Sequence, residues 1–338
     1  MKDITAIIST KDRYTNLALV VSSIINQTVI PNELIIFDDG EQKDLRQDPV
    51  WDNLFKVLYE KNIDFKIIFG EKKGQVLNHD KSLQIAKNEL IWRIDDDNLL
   101  LHNTLENLLK YFDDKTGAIG GEIRLPITNF KPEECSSKIE DIYQKPNRQW
   151  AKIEHIEYVD HLHNSFLFRK SAAKWGAPTY LSSVGHREET LFTYQMKLDG
   201  WDIKLVPNAL IWHLKNATGG IRSYNNEEMY KEDEWKFNRM INIWKLQYEQ
   251  KSVLIPLDNG IGDHWAFKNI IPLLKEKYKF VTIAACFPEV FKDDNVELIS
   301  IAEAKDILPN FNNLNIYAWM EKNNWKQHII EAYKTLWL

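Results

Sequence analysis

Short apolar runs alternate with stretches of helical spacing along the first two thirds of the chain. Residues 4–9 are apolar and stop at Thr10-Lys11-Asp12-Arg13, after which residues 16–26 carry apolar positions three and four apart. The runs 33–37, 64–69 and 90–94 behave alike, ending in Asp38-Asp39-Gly40, Gly70-Glu71-Lys72-Lys73-Gly74 and Asp95-Asp96-Asp97, with a helical stretch at 76–88. Four short strands separated by helices predict an α/β domain with a mostly parallel sheet. Its ligands should bind at the carboxyl ends of the strands, where these charged residues stand.

Further along, the spacing predicts a helix at 102–112, a strand at 118–125, a polar insertion or acceptor-facing loop at 126–158 and a strand at 159–169. A helix at 188–198 ends at Gly200, and short strands follow at 203–206 and 209–212. Residues 225–250 set Trp235, Phe237, Met240, Ile243, Trp244 and Leu246 on a charged background, which predicts a long amphipathic helix. The pattern then restarts, with strands at 252–257, 280–285 and 296–301 and a helix at 264–277 interrupted by Pro272. The expected division is a first domain at 1–222, a helical connector at 223–250 and a small Rossmann-like α/β module at 251–338.

Composition narrows the class. A chain of 338 residues suits two domains, and 44% hydrophobic with 27% charged residues excludes intrinsic disorder and fibrous repeats. The net charge of -6 provides no general attraction for nucleic acid or anionic lipid, although a local basic groove stays open. Two distant cysteines, Cys135 and Cys286, lack partners at zinc-ligand spacing and argue against a disulfide scaffold. No stretch approaches the ~18–20 apolar residues of a membrane span, and the first residues lack a signal-peptide core. The expectation is a cytoplasmic protein without a membrane span, with assembly into a homo-oligomer left open.

The acidic triplet after the fourth strand is the strongest chemical signal. Alternate residues of a strand end point the same way, so Asp95 and Asp97 can share one side and hold Mg2+ or Mn2+ together with substrate phosphates. The competing reading is a solvated acidic turn that starts the helix at 102–112.

Context bears on that choice. Asp38-Asp39-Gly40, Asp95-Asp96-Asp97, Gly185-His186-Arg187-Glu188-Glu189 with Gly200-Trp201, and the segment from Val206 through Asn208 to Trp212-His213 occur in that order. Together, over about residues 1–222, they resemble the glycosyltransferase family 2 catalytic domain of the GT-A fold. The resemblance implies an inverting, metal-dependent transferase using Mn2+ or Mg2+. It would move a sugar from a nucleotide sugar, expected to be a UDP-sugar, to a hydroxyl acceptor such as a glycan.

By this resemblance Thr10 and Arg13 approach the nucleotide and Asp39 reads the uracil edge. Asp95 faces the ribose and sugar, Asp97 the metal, and His213 lies near the diphosphate or metal. Residues 215–222, with Arg222, occupy the place of a mobile nucleotide-covering loop. Glu188 and Glu189 fall on the family's Glu-Asp pair, with Glu189 in the place of the catalytic aspartate. Adjacent helical residues diverge by ~100°, so one of the two would accept the acceptor's proton while the other orients the acceptor or caps the helix. The family's Arg-Asn pair after the third strand appears as His79-Asp80, with Asn78 available to share that role.

Other features are read more plainly. His161 and His163 are expected as satisfied strand histidines near an acceptor site, and Trp150 and Trp175 as possible sugar-stacking platforms among twelve tryptophans. The run Ile255-Pro256-Leu257-Asp258-Asn259-Gly260-Ile261-Gly262-Asp263 resembles the opening loop of heptosyltransferase-like GT-B enzymes, whose glycines let backbone N–H groups face an anion. As one short motif it suits a vestigial module for acceptor binding or assembly. Two rival classes stay open, a sugar-nucleotide pyrophosphorylase-like enzyme and a non-catalytic carbohydrate-binding protein. The first would need a glycine-rich phosphate loop after the first strand, and the second would not need the carboxylates.

Overall fold

A computed structural model of the chain describes residues 3–126, 130–215, 219–220 and 226–338. It divides into two compact units, residues 1–230 and 231–338. The first unit begins β1 (Ile4–Thr10), α1 (Tyr14–Ile25), β2 (Glu33–Asp38), α2 (Pro49–Glu60), β3 (Asp64–Phe69), α3 (Gln75–Ile85) and β4 (Leu90–Asp95). It continues with β5 (Asn98–Leu100), α4 (Thr104–Lys110), β6 (Thr116–Arg124), β7 (Glu157–Tyr158), β8 (Phe166–Arg169), α5 (Glu188–Leu198) and β9 (Asp202–His213). Helix α2 adds to the expected elements. Asp48 caps it, a proline opens it, and Trp51, Phe55 and Leu58 bury one face.

Nine strands form one sheet in the order β3-β2-β1-β4-β8-β6-β9-β5, with β7 paired to β9. The first four are parallel and in register, so Thr10 stands beside Asp38 and Ser9 beside Asp95. β8 joins β4 and β6 antiparallel, and β6 runs parallel to β9. Apolar residues on the sheet's two faces form two cores. One, around Ile4, Ile8, Leu17, Val20 and Trp92, lies under α1 and α2, and the other, around Ile7, Phe37, Phe166, Phe168 and Phe192, packs with α3 and α5. β1, β2 and β4 are buried on both sides, which is why they read as continuous apolar runs rather than alternating ones.

Two sequence expectations change here. The strands expected at 203–206 and 209–212 are one strand, β9, carrying a register shift where Asn208 adopts φ +65°. The strand expected at 159–169 is regular only over β8. Asn164 at φ +62° interrupts it, so His161 and His163 lie on an irregular segment rather than alternating along a strand.

The second unit starts within α6 (Glu227–Tyr248) and has a three-stranded parallel sheet made of β10 (Ser252–Leu257), β11 (Phe280–Ala285) and β12 (Glu297–Ile299). Its helices are α7 (Ile261–Lys268), α8 (Ile271–Lys277), α9 (Ile301–Ile307), α10 (Ile316–Lys322) and α11 (Ile329–Trp337). The helix expected at 264–277 is two helices, because Pro272 opens α8. Among the described residues, no helix is long and apolar enough to cross a membrane.

Candidate active site

A cavity of about 230 Å³ lies at the carboxyl ends of β1, β2 and β4. Its wall includes Thr10 and Arg13 from the end of β1 and the loop after it, Asp39 after β2, Asp95, Asp96 and Asp97 at the end of β4, Glu189 on α5 and His213 ending β9. All but Asp96 are residues expected from the sequence; Asp96, which strand alternation would turn away from Asp95 and Asp97, lines the same cavity and shares Arg13 with Asp97. Arg222 lies outside the described residues.

Asp39 is oriented by backbone. Its carboxylate accepts hydrogen bonds from the N–H groups of Lys72 (3.2 Å) and Gly74 (3.0 Å), and its own N–H donates to the Thr10 carbonyl at 2.9 Å. This fit requires glycine at 70, where an added Cβ would stand 1.7 Å from Asp39 Oδ1. Asn78 is buried behind the cavity and donates to Ser9 Oγ at 2.9 Å, while Gln75 and His79 of α3 form the wall itself.

The aspartate triplet is shared out among different partners. Thr10 Oγ1 donates to Asp96 Oδ2 at 2.7 Å, and Arg13 Nη1 donates to both Asp96 Oδ1 (2.9 Å) and Asp97 Oδ2 (3.0 Å). The other oxygen of Asp97 faces His213 Nε2 at 3.4 Å. Burial pushes Asp96 up to about 6 despite Arg13. Burial also pushes at Asp97, but His213 and Arg13 outweigh it and hold the carboxyl below its ordinary value. Burial drives Asp95 up to about 7, against the opposing pull of Arg93.

A hard cation suits this environment. Asp95 and Asp97 could supply carboxylate oxygen and His213 an imidazole nitrogen, a donor set compatible with Mg2+ or Mn2+. Among the described residues no three such side chains are grouped closely enough to hold an ion by themselves. Donors from a diphosphate and water would have to complete the shell.

The two glutamates part company at the start of α5. Glu188 is fully buried; Arg93 Nη1 donates to its Oε1 at 2.7 Å, and Arg93 Nη2 lies 2.6 Å from its Oε2. His79 Nδ1 stands 3.4 Å from the same carboxylate. Burial would raise Glu188, yet Arg93 and His79 hold it down at about 2. Glu189 instead reaches the cavity wall, 3.4 Å from Arg93 Nη2 and 3.9 Å from His163 Nδ1.

Trp150 and His163, stacked with ring centroids 6.2 Å apart, line the cavity near Glu189. Trp175 is not among the lining residues. Contrary to the expectation of a satisfied histidine, His161 is buried with neither ring nitrogen hydrogen-bonded among the described residues, and burial pushes it down to about 4. Arg93 was the residue that pattern reading passed over. Its signal was a lone guanidinium inside the run Leu90-Ile91-Trp92-Arg93-Ile94, a position buried on both faces of the sheet.

A mixed sheet whose parallel strands β1, β2 and β4 end in one cavity beside α5, with helices packed on both faces, is an α/β arrangement of the GT-A type. Residues 5–176, just over half of the chain, match the family model described as Glycosyl transferase family 2, and the chain belongs to that family.

Solved structures agree in fold. S. aureus TarS is 16% identical with a TM-score of 0.52, over 80% of this chain and 43% of that one. The S. aureus TarS 1-349 structure in complex with UDP-GlcNAc is 14% identical, with a TM-score of 0.53 over 99% of this chain and 90% of that one. GalNAc-T7 with UDP, GalNAc and Mn2+ is 14% identical, with a TM-score of 0.54 over 96% and 57%. The chain thus spans less than half the length of the longer TarS chain. No curated protein sequence matches it. The heptosyltransferase-like resemblance of the second unit finds no counterpart in these matches.

Proposed function

We propose that this glycosyltransferase moves a sugar from a UDP-sugar to a hydroxyl on an acceptor glycan, with inversion at the anomeric carbon. The observation that carries the reading is the placement of Glu189 on the same cavity wall as Thr10, Arg13, Asp39 and the aspartate triplet. Relatives of the same fold bound to UDP-GlcNAc, or to UDP, GalNAc and Mn2+, support a UDP-sugar as donor. Asp39 serves the uracil edge, Thr10 and Arg13 the nucleotide side, and Asp95 the ribose and sugar.

Asp95, Asp97 and His213 would hold Mn2+ or Mg2+, whose charge stabilises a leaving diphosphate. Glu189 takes the proton of the acceptor hydroxyl, and Glu188, committed to Arg93, anchors the helix. No covalent enzyme intermediate is required.

Residues 251–338 serve acceptor binding or assembly rather than a second nucleotide site. At Gly260-Ile261-Gly262-Asp263 the Asp263 carboxylate accepts the Gly260 N–H at 3.1 Å, so a negative charge of the chain itself occupies the start of α7.

A thermal-shift screen of nucleotide sugars with and without Mn2+ tests the reading, because a ligand that binds only the folded state raises its stability by mass action. Stabilisation by UDP or a UDP-sugar, larger with Mn2+, is expected. A chain indifferent to every UDP compound would refute it.

A further inference from the structure

We infer that Arg93 is a positioning residue for sugar transfer: its grip on Glu188 fixes the first turn of α5 against β4 and so sets where the Glu189 carboxylate stands relative to Asp95 and Asp97. The inference rests on the reading of Glu189 as the base. Arg93 and Asp95 are two residues apart on β4 and therefore point to the same side of the sheet. The Arg93 guanidinium touches both oxygens of Glu188, at 2.7 and 2.6 Å, and reaches Glu189 Oε1 at 3.4 Å. It also lies over the Phe166 ring, 5.4 Å from its centroid, which braces it from the neighbouring strand β8.

The approach to α5 runs through left-handed backbone at Gly185 and Arg187, with φ +63° and +68°. The Glu188 N–H donates to the Gly185 carbonyl at 3.2 Å, and the Glu188 side chain ties this first turn to β4 through Arg93.

Stability does not explain the choice of residues. Taking two ions out of water is costly, and an apolar pair of similar volume often serves a core as well or better. What an apolar pair cannot do is aim the neighbouring carboxylate. A displacement of ~1 Å at a reacting group can cost ~10²-fold in rate, so aim outweighs the modest net stability of the pair. Lysine could not replace the planar fork that engages two oxygens at once.

The test uses the full chain and the UDP-sugar found to stabilise it, following UDP release, with UDP affinity measured by calorimetry. The variants are Arg93→Lys and the paired Arg93→Met with Glu188→Met, which removes both charges together. Both should keep the wild-type UDP affinity, while kcat falls ~10–100-fold. A folded double variant with wild-type kcat would show the pair to be structural only and overturn the inference. If the double variant does not fold, wild-type kcat in Arg93→Lys overturns it equally. A fall in kcat matched by loss of UDP affinity also overturns it, since the damage would then be general to the site. Wild-type chain that releases no UDP from any UDP-sugar sinks the function reading and this inference together, whereas active wild type with undiminished variants sinks the inference alone.

Discussion

Arg13 Nη1 bridges two neighbouring carboxylates, lying 2.9 Å from Asp96 Oδ1 and 3.0 Å from Asp97 Oδ2. The Arg13 guanidinium thus stands where a divalent ion on Asp97 would compete for the same oxygen, while His213 faces the other oxygen of Asp97.

Arg13→Gln should therefore bind Mn2+ more tightly than wild type when no nucleotide is present, by ~10-fold, because a competing positive charge is gone. Electron paramagnetic resonance of free Mn2+ reads this directly. Equal or weaker binding would mean that Arg13 does not compete with the ion. Asp97→Ala should abolish metal-dependent UDP binding, and identical UDP affinity in chelator and in Mn2+ would remove the metal from the mechanism.

The two glutamates should respond differently to loss of charge. Glu189→Gln is expected to lower transfer ~10²–10⁴-fold with donor binding intact. Glu188→Gln should cost about 3–5 kcal/mol of stability, because Arg93 is left buried without its main counter-ion, and should lower transfer less than Glu189→Gln does. Steady-state kinetics and urea unfolding on the same preparations separate the effects, and near-normal turnover by Glu189→Gln would reject it as the base.

Acid should unfold the protein partly through Glu188. Its carboxyl is held at about 2 in the folded chain against an ordinary 4.5. The depressed folded value means its contribution is fully present above pH 4.5 and is lost as pH falls towards 2. Urea midpoints measured between neutral pH and this range should fall less steeply in Glu188→Gln than in wild type. Parallel curves would show that other carboxylates govern the transition.

Gly70→Ala should weaken UDP binding without unfolding the chain. The new Cβ, 1.7 Å from Asp39 Oδ1, must push that carboxylate off the Lys72 and Gly74 N–H groups. Calorimetry on the variant checks this, and unchanged affinity would remove Asp39 from nucleotide recognition.

One nucleotide should bind per chain, and Gly262→Val should leave that stoichiometry intact, since nothing lies within 4 Å of the Cβ position and Asp263 already closes the Gly260 N–H. Two bound nucleotides, one of them lost in Gly262→Val, would restore a second site.

Much of the first unit was legible because its chemistry is local. Runs such as Ile4-Thr5-Ala6-Ile7-Ile8 are apolar throughout because both faces of the sheet are covered, and each run stops where the chain meets the cavity. Asp39, Asp95 and Asp97 could thus be picked out from where strands end. The segment with His161 and His163 has residue types that suit a strand, but a bend at Asp160 and the left-handed turn at Asn164 break it. In the second unit, two glycines before a helix looked like an anion cradle, but a capping contact made by the adjacent Asp263 occupies that helix start.

Sequence alone thus determined the α/β character, the strand ends that carry carboxylates and the adjacency of Glu188 and Glu189, since these follow from periodicity and neighbouring residue types. It left the choice between the two glutamates open, because helical geometry says that they diverge but not which one faces solvent. The tertiary structure brings Arg93 of β4 to Glu188, 95 positions away, and leaves Glu189 on the cavity wall, so it decides which of the two side chains lines the cavity. The physical reason is that a buried guanidinium must have a carboxylate, and which carboxylate it takes depends on how a strand and a distant helix pack.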